Sequence, residues 1–97
     1  MKDLCIKNFN ISESDVNKIR SFRKSMLDNK NDYQIYIAFV QWISNGDYNS
    51  ICKGVYLLRY MEKYRPQSDC ILPMYRFIKN GDDSFFMKTP LKYRLAL

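Results

Sequence analysis

The chain has no histidine, and only three glycines, three prolines and three cysteines in 97 residues. Without histidine, the commonest general base and metal ligand is missing. Gly46, Gly54 and Gly81 are too scattered to form a loop that cradles phosphate. Cys5, Cys52 and Cys70 are odd in number, far apart and free of any C-x-x-C spacing, so neither a disulfide framework nor the usual zinc pattern fits them. Three buried, inert thiols in a reducing cytoplasm are the expectation. No motif sets a base beside any of them, as a cysteine nucleophile requires. Asp82 and Asp83 are adjacent carboxylates, but next to Gly81 they read as turn-formers and not as an acid/base pair. No stretch approaches the ~18 uninterrupted apolar residues of a membrane span. The opening "MKDLCIKNFN" also lacks the apolar core of a secretory signal. Together these absences describe a cytoplasmic, non-enzymatic protein with no cofactor, no metal and no membrane partner. With no repeat or linker, residues 1–97 are read as one domain.

Aromatic residues and positive charge are what the chain has in excess. Six Phe, eight Tyr and one Trp are more rings than so small a core needs, so some are expected to face a partner. The net charge of +6 is uneven: residues 1–50 carry seven Lys/Arg against six Asp/Glu, and residues 51–97 carry nine against four. A basic C-terminal half favours an anionic partner, the plainer reading being a merely solvated surface.

Helical periodicity is clearest in three places. Ser12 is a candidate cap, with Asp15 completing a capping-box variant and Ile11 and Val16 placed as a staple. From there Val16, Ile19, Phe22, Met26 and Leu27 form one face, ending at Asn29 and Lys30. Lys18, Arg20, Arg23 and Lys24 lie on or beside the other faces, where solvation is the ordinary fate of charge. The uncharged segment from Tyr33 to Gly46 predicts a core helix capped by Asn31 or Asp32 and closed by Gly46, a buried strand being the rival. The third helix is expected over Ser50 to Tyr64, with Ser50 as its cap and Ile51, Val55, Leu58 and Met61 as its core stripe. Gly54 inside it, about 1 kcal/mol worse than alanine, implies a close approach by the preceding helix or by something outside.

After Pro66, Asn80-Gly81 lies between two apolar-aromatic runs and predicts a hairpin with arms at about 74–79 and 84–88. The rival is a short helix with Pro73 in its first turn and Gly81 as its C-cap. "LCIKNF" near the N-terminus and the tail "LKYRLAL" are candidates for a further strand pairing. The expected fold is therefore α+β, mainly α: three helices and a C-terminal β-hairpin in a winged helix-turn-helix-like layout. The alternative is an all-α bundle of four helices.

That layout suggests a small DNA-binding regulator of transcription. Its contact helix over 50–64 would present Lys53, Tyr56, Arg59, Tyr60 and Lys63 to duplex DNA, with Lys79, Lys88, Lys92 and Arg94 flanking it. Against this, the helix offers only Arg59 as a bidentate guanine reader, and Asp82 and Asp83 at the wing tip would repel phosphate. The alternative is a small protein-binding inhibitor, immunity or accessory protein that blocks or adapts a larger partner. Tyr56, Tyr60 and Trp42 would be its contacts, since Tyr, Trp and Arg are enriched at hot spots. Both readings are compatible with a homodimer. A third possibility, bases stacked on Tyr75, Phe77, Phe85 or Phe86, competes with the simpler role of these rings as cover for the helices.

Overall fold

The computed structural model describes residues 11–19 and 24–89. Among these it holds six helices and no strand: α1 (Glu13–Asn17), α2 (Lys24–Asp28), α3 (Asp32–Asn45), α4 (Tyr48–Tyr64), α5 (Ile71–Asn80) and α6 (Ser84–Lys88). The proposed pairing of the N-terminal segment with the tail lies outside the described residues, as do Cys5, Arg20, Phe22, Arg23, Lys92 and Arg94.

The local rules that start and stop these helices are visible at each end. The Ser12 hydroxyl accepts the Ser14 and Asp15 N–H groups and so caps α1. The return half of the expected box is not made by Asp15. The Ser12 N–H reaches the Tyr48 hydroxyl at 3.4 Å, and that hydroxyl donates to Asp15. Lys18 and Ile19 fall outside α1, so the helix expected to run on from Ser12 is interrupted there. A full capping box starts α3: Gln34 N–H donates to Asn31 Oδ1 and Asn31 N–H to Gln34 Oε1, both at 2.9 Å. Gly46 closes it in the left-handed region at φ 86°. α4 begins one turn earlier than expected, because Asp47 and not Ser50 caps it by accepting the Ser50 N–H at 3.2 Å.

The C-terminal hairpin is not formed. Residues 71–80 are helical, with Pro73 in the first turn, where its missing N–H is no loss. Gly81, at φ 70°, ends the helix, its N–H donating to Phe77 O at 2.8 Å. An Asn-Gly pair serves a helix end as well as a hairpin turn, since both need positive φ at the glycine. What separates the two is the buried set, Pro73, Met74, Phe77 and Ile78, which repeats with helical and not alternating period. The second arm is α6, and Asp82 accepts the Ser84 N–H at its start. The chain is therefore all-helical over its described residues, as the bundle alternative has it, and the winged layout is withdrawn with the hairpin.

α4 is the axis of the assembly. It packs along α3 and also touches α1 and α5, and a Tyr60–Asp28 hydrogen bond ties it to α2. Its buried residues, Ser50, Ile51, Cys52, Gly54, Val55, Leu57, Leu58, Tyr60 and Met61, point in nearly every direction. Gly54 marks a close contact with α3. A Cβ there would lie 2.5 Å from Ile43 Cδ1 and 2.8 Å from Ile43 Cγ1. The close approach implied by this glycine is thus that of the preceding helix.

Candidate functional site

A cleft of about 180 Å³ opens between α1 and the second half of α4, lined by Val16, Asn17, Tyr56, Arg59, Tyr60, Lys63 and Tyr64. Val16 is buried and gives the cleft an apolar floor, while Tyr56 is half-buried and Lys63 and Tyr64 are exposed at its edge. Four of the five residues expected on the contact face of α4 therefore meet here.

Their side chains are largely committed to other parts of the molecule. Arg59 donates to Glu13 on α1 from Nη2 at 2.7 Å and Nε at 3.3 Å, and to Glu62 from Nη1 at 3.1 Å. The Glu13 carboxylate leads in holding its pKa above the ordinary value. Tyr60 is only 5% exposed, and its hydroxyl donates to Asp28. Burial first, then that hydrogen bond, pushes its pKa upward. Tyr64 packs 5.1 Å from Tyr60, with Lys24 Nζ 4.7 Å and Lys63 Nζ 5.2 Å from its ring centroid. Among the described residues no carboxylate pairs with Lys63 or with Lys53.

The remaining predicted residues lie elsewhere. Lys53 sits over Trp42 at 4.4 Å. Trp42 itself borders a separate open hollow on α3 with Ala38, Gln41 and Asn45. Lys79 lies 5.8 Å from the centroid of Tyr75 on α5, and Lys88 is exposed at the end of α6. Neither lines the cleft. Of the rings proposed to stack bases, Phe77 is buried against Phe39, and Phe85 packs edge-on to Tyr36 with centroids 5.1 Å apart. Covering the helices is thus what those two rings do.

Sequence reasoning missed Val16 and Asn17 as site residues, because nothing in the sequence says that α1 lies against α4. It also missed three tyrosine–carboxylate hydrogen bonds, Tyr48–Asp15, Tyr60–Asp28 and Tyr75–Glu62, which join α4 to α1, to α2 and to α5. These pairs absorb part of the aromatic excess that had pointed to a partner.

Burial pushes the Cys70 thiol up to about 11 and the Cys52 thiol upward as well, so neither supplies appreciable thiolate near neutral pH. No group of three or more metal-ligating side chains occurs among the described residues. No described helix is long and apolar enough to cross a membrane. Compared with known proteins, the chain matches no family model, no curated protein and no solved structure.

Proposed function

We propose that the chain is a small, non-enzymatic protein-binding module, an inhibitor, immunity or accessory protein that blocks or adapts a larger partner. It meets that partner with the cleft between α1 and α4. The observation that carries the reading is the embedding of α4. A helix that reads a major groove must stand clear of its neighbours, and this one is flanked by α1, α2, α3 and α5. Its only bidentate guanine reader, Arg59, is already held by two carboxylates. What α4 leaves accessible is a recess with an apolar floor, tyrosine walls and a cationic rim. That is the anatomy of a hot-spot pocket.

The test pairs the wild-type chain with a Tyr56→Ala/Lys63→Ala variant. Arg59 is left in place because its loss would strand Glu13 and Glu62. The tagged chains are used to recover partners from cells. In parallel, each is titrated against a labelled random DNA duplex over a range of salt. The expected result is a stoichiometric protein partner lost in the variant, with no duplex binding at about 0.15 M salt. Duplex binding that falls steeply with salt and disappears in the variant would reverse the reading in favour of DNA.

A further inference from the structure

The carboxylates around the cleft are already used. Glu13 and Glu62 both hold Arg59, Asp15 accepts the Tyr48 hydroxyl, and Asp28 takes Lys24 at 2.8 Å and the Tyr60 hydroxyl. Lys63 is left at the rim with no acid on its own chain among the described residues. It is exposed and next to a recess of about 180 Å³, the scale of one large side chain. A chain of net charge +6 whose described acids near the cleft are spent internally presents Lys63 as a cation suited to an acidic visitor. Resting on the binding-module reading, we infer that this cleft is the anchor pocket for an acidic side chain of the protein partner. The carboxylate is set against Lys63, and its apolar stem lies along Tyr56 towards the Val16 floor.

A nucleobase fits the same cleft poorly. Stacking needs an open ring face. Tyr60 is buried, and the Tyr64 ring, though 43% exposed, already has Tyr60, Lys24 and Lys63 against it.

The experiment follows the amide signals of the isotope-labelled full chain at about 50 mM salt, where rim charges are weakly screened. The probes are N-acetyl-Leu-Glu-Leu-amide, its Gln counterpart and an oligothymidine strand. The Glu peptide is expected to perturb Val16, Asn17 and Tyr56, and the Gln peptide to bind about fivefold more weakly. Lys63→Gln should erase that difference and Lys63→Arg should keep it; both change an exposed side chain with no carboxylate partner among the described residues and leave the core alone. No perturbation at these amides, equal binding of the two peptides, or a Glu preference that survives in Lys63→Gln would each overturn the inference. Tighter binding of oligothymidine at the same amides would overturn it in favour of nucleic acid. If the peptides fail while the cellular partner is still lost in the Tyr56→Ala/Lys63→Ala variant, the carboxylate anchor falls and the binding module stands. If partner recovery ignores both Tyr56 and Lys63, the cleft reading falls as well.

Discussion

Gly54 faces Ile43 across the α3–α4 contact, and a methyl group at position 54 has nowhere to go. Alanine there would gain about 1 kcal/mol of helix propensity. It would also place a Cβ 2.5 Å from the buried Ile43 side chain, and overpacking of that kind costs about 1–3 kcal/mol. Gly54→Ala is therefore expected to lower stability by up to about 2 kcal/mol in urea unfolding. Adding Ile43→Val, which removes Cδ1, should make the pair less harmful than the two single changes summed. Tyr36 is a different kind of anomaly. It is fully buried, and among the described residues its hydroxyl has no well-formed hydrogen bond, the nearest polar neighbour being the Phe86 backbone. An unpaired buried hydroxyl costs about 1–3 kcal/mol, so Tyr36→Phe should be neutral or stabilising by up to about 1 kcal/mol. Burial, aided by the charges of Asp83 and Asp82, pushes Tyr36 from 10.0 up to about 12. The unfolded chain releases this proton from about pH 10, and the folded chain holds it until about 12. Its contribution is thus complete below pH 10 and is lost as pH rises from 10 to 12. Tyrosinate absorbance should show a late component that appears with alkaline unfolding, and its amplitude should fall by one tyrosine in Tyr36→Phe.

Between elements, Arg65 holds more of the structure together than its place in a linker suggests. From the end of α4 it pairs with Asp32 at 2.8 Å and donates to the Leu27 carbonyl at 2.9 Å. Ser68 donates to the other Asp32 oxygen at 2.6 Å. One guanidinium thus fastens the α4–α5 connection to the end of α2 and the start of α3. Removing it takes the donor from Asp32 Oδ1 and one of two donors from the Leu27 carbonyl, which keeps the Lys30 N–H, so Arg65→Ala should cost about 1–2 kcal/mol. Amide exchange should accelerate first in α2, whose other ties among the described residues are few. Nothing in the sequence marks this role: Arg65 follows the helix and precedes Pro66, where it reads as an ordinary solvated cation. The same is true of the tyrosine–carboxylate pairs, which join residues 13 to 33 apart in the chain. By contrast α3 was legible almost to the residue, because its cap, its apolar run and its closing glycine all agree. The α5–α6 region was misread because Asn-Gly carries the same backbone demand in two structures. The cleft was half legible: periodicity grouped Tyr56, Arg59, Tyr60 and Lys63 on one side of α4, but their engagement with Glu13 and Asp28 depends on packing between distant segments.

Across the described residues α3 and α4 make the largest contact and α5 packs on both of them, so no outer helix has a core of its own. Unfolding should be a single cooperative transition. Trp42 fluorescence, which reports on α3 beside Lys53, and far-ultraviolet circular dichroism should give coincident urea curves; separated curves would show that α3 and α4 can part before the rest melts. Acid should weaken the assembly at several points together. Asp28 is held below its unfolded value of 3.8 chiefly by Lys24 and then Tyr60, Asp47 by Ser50, and Asp82 by the backbone and side chain of Ser84. Groups with lowered native pKa values contribute fully above the unfolded value and lose that contribution as pH falls through their native values. The urea midpoint should therefore be steady from about pH 7 to 5 and fall below about pH 4. The two-residue connection Gly46–Asp47 between α3 and α4 also sets an order of events. Contacts within that pair are near in sequence and can form on the microsecond scale of local structure. Ser12 and Glu13 instead wait for Tyr48 and Arg59, 36 and 46 residues further along. During synthesis the first helices leave the ribosome early yet settle late, so the chain is assembled from its middle outward.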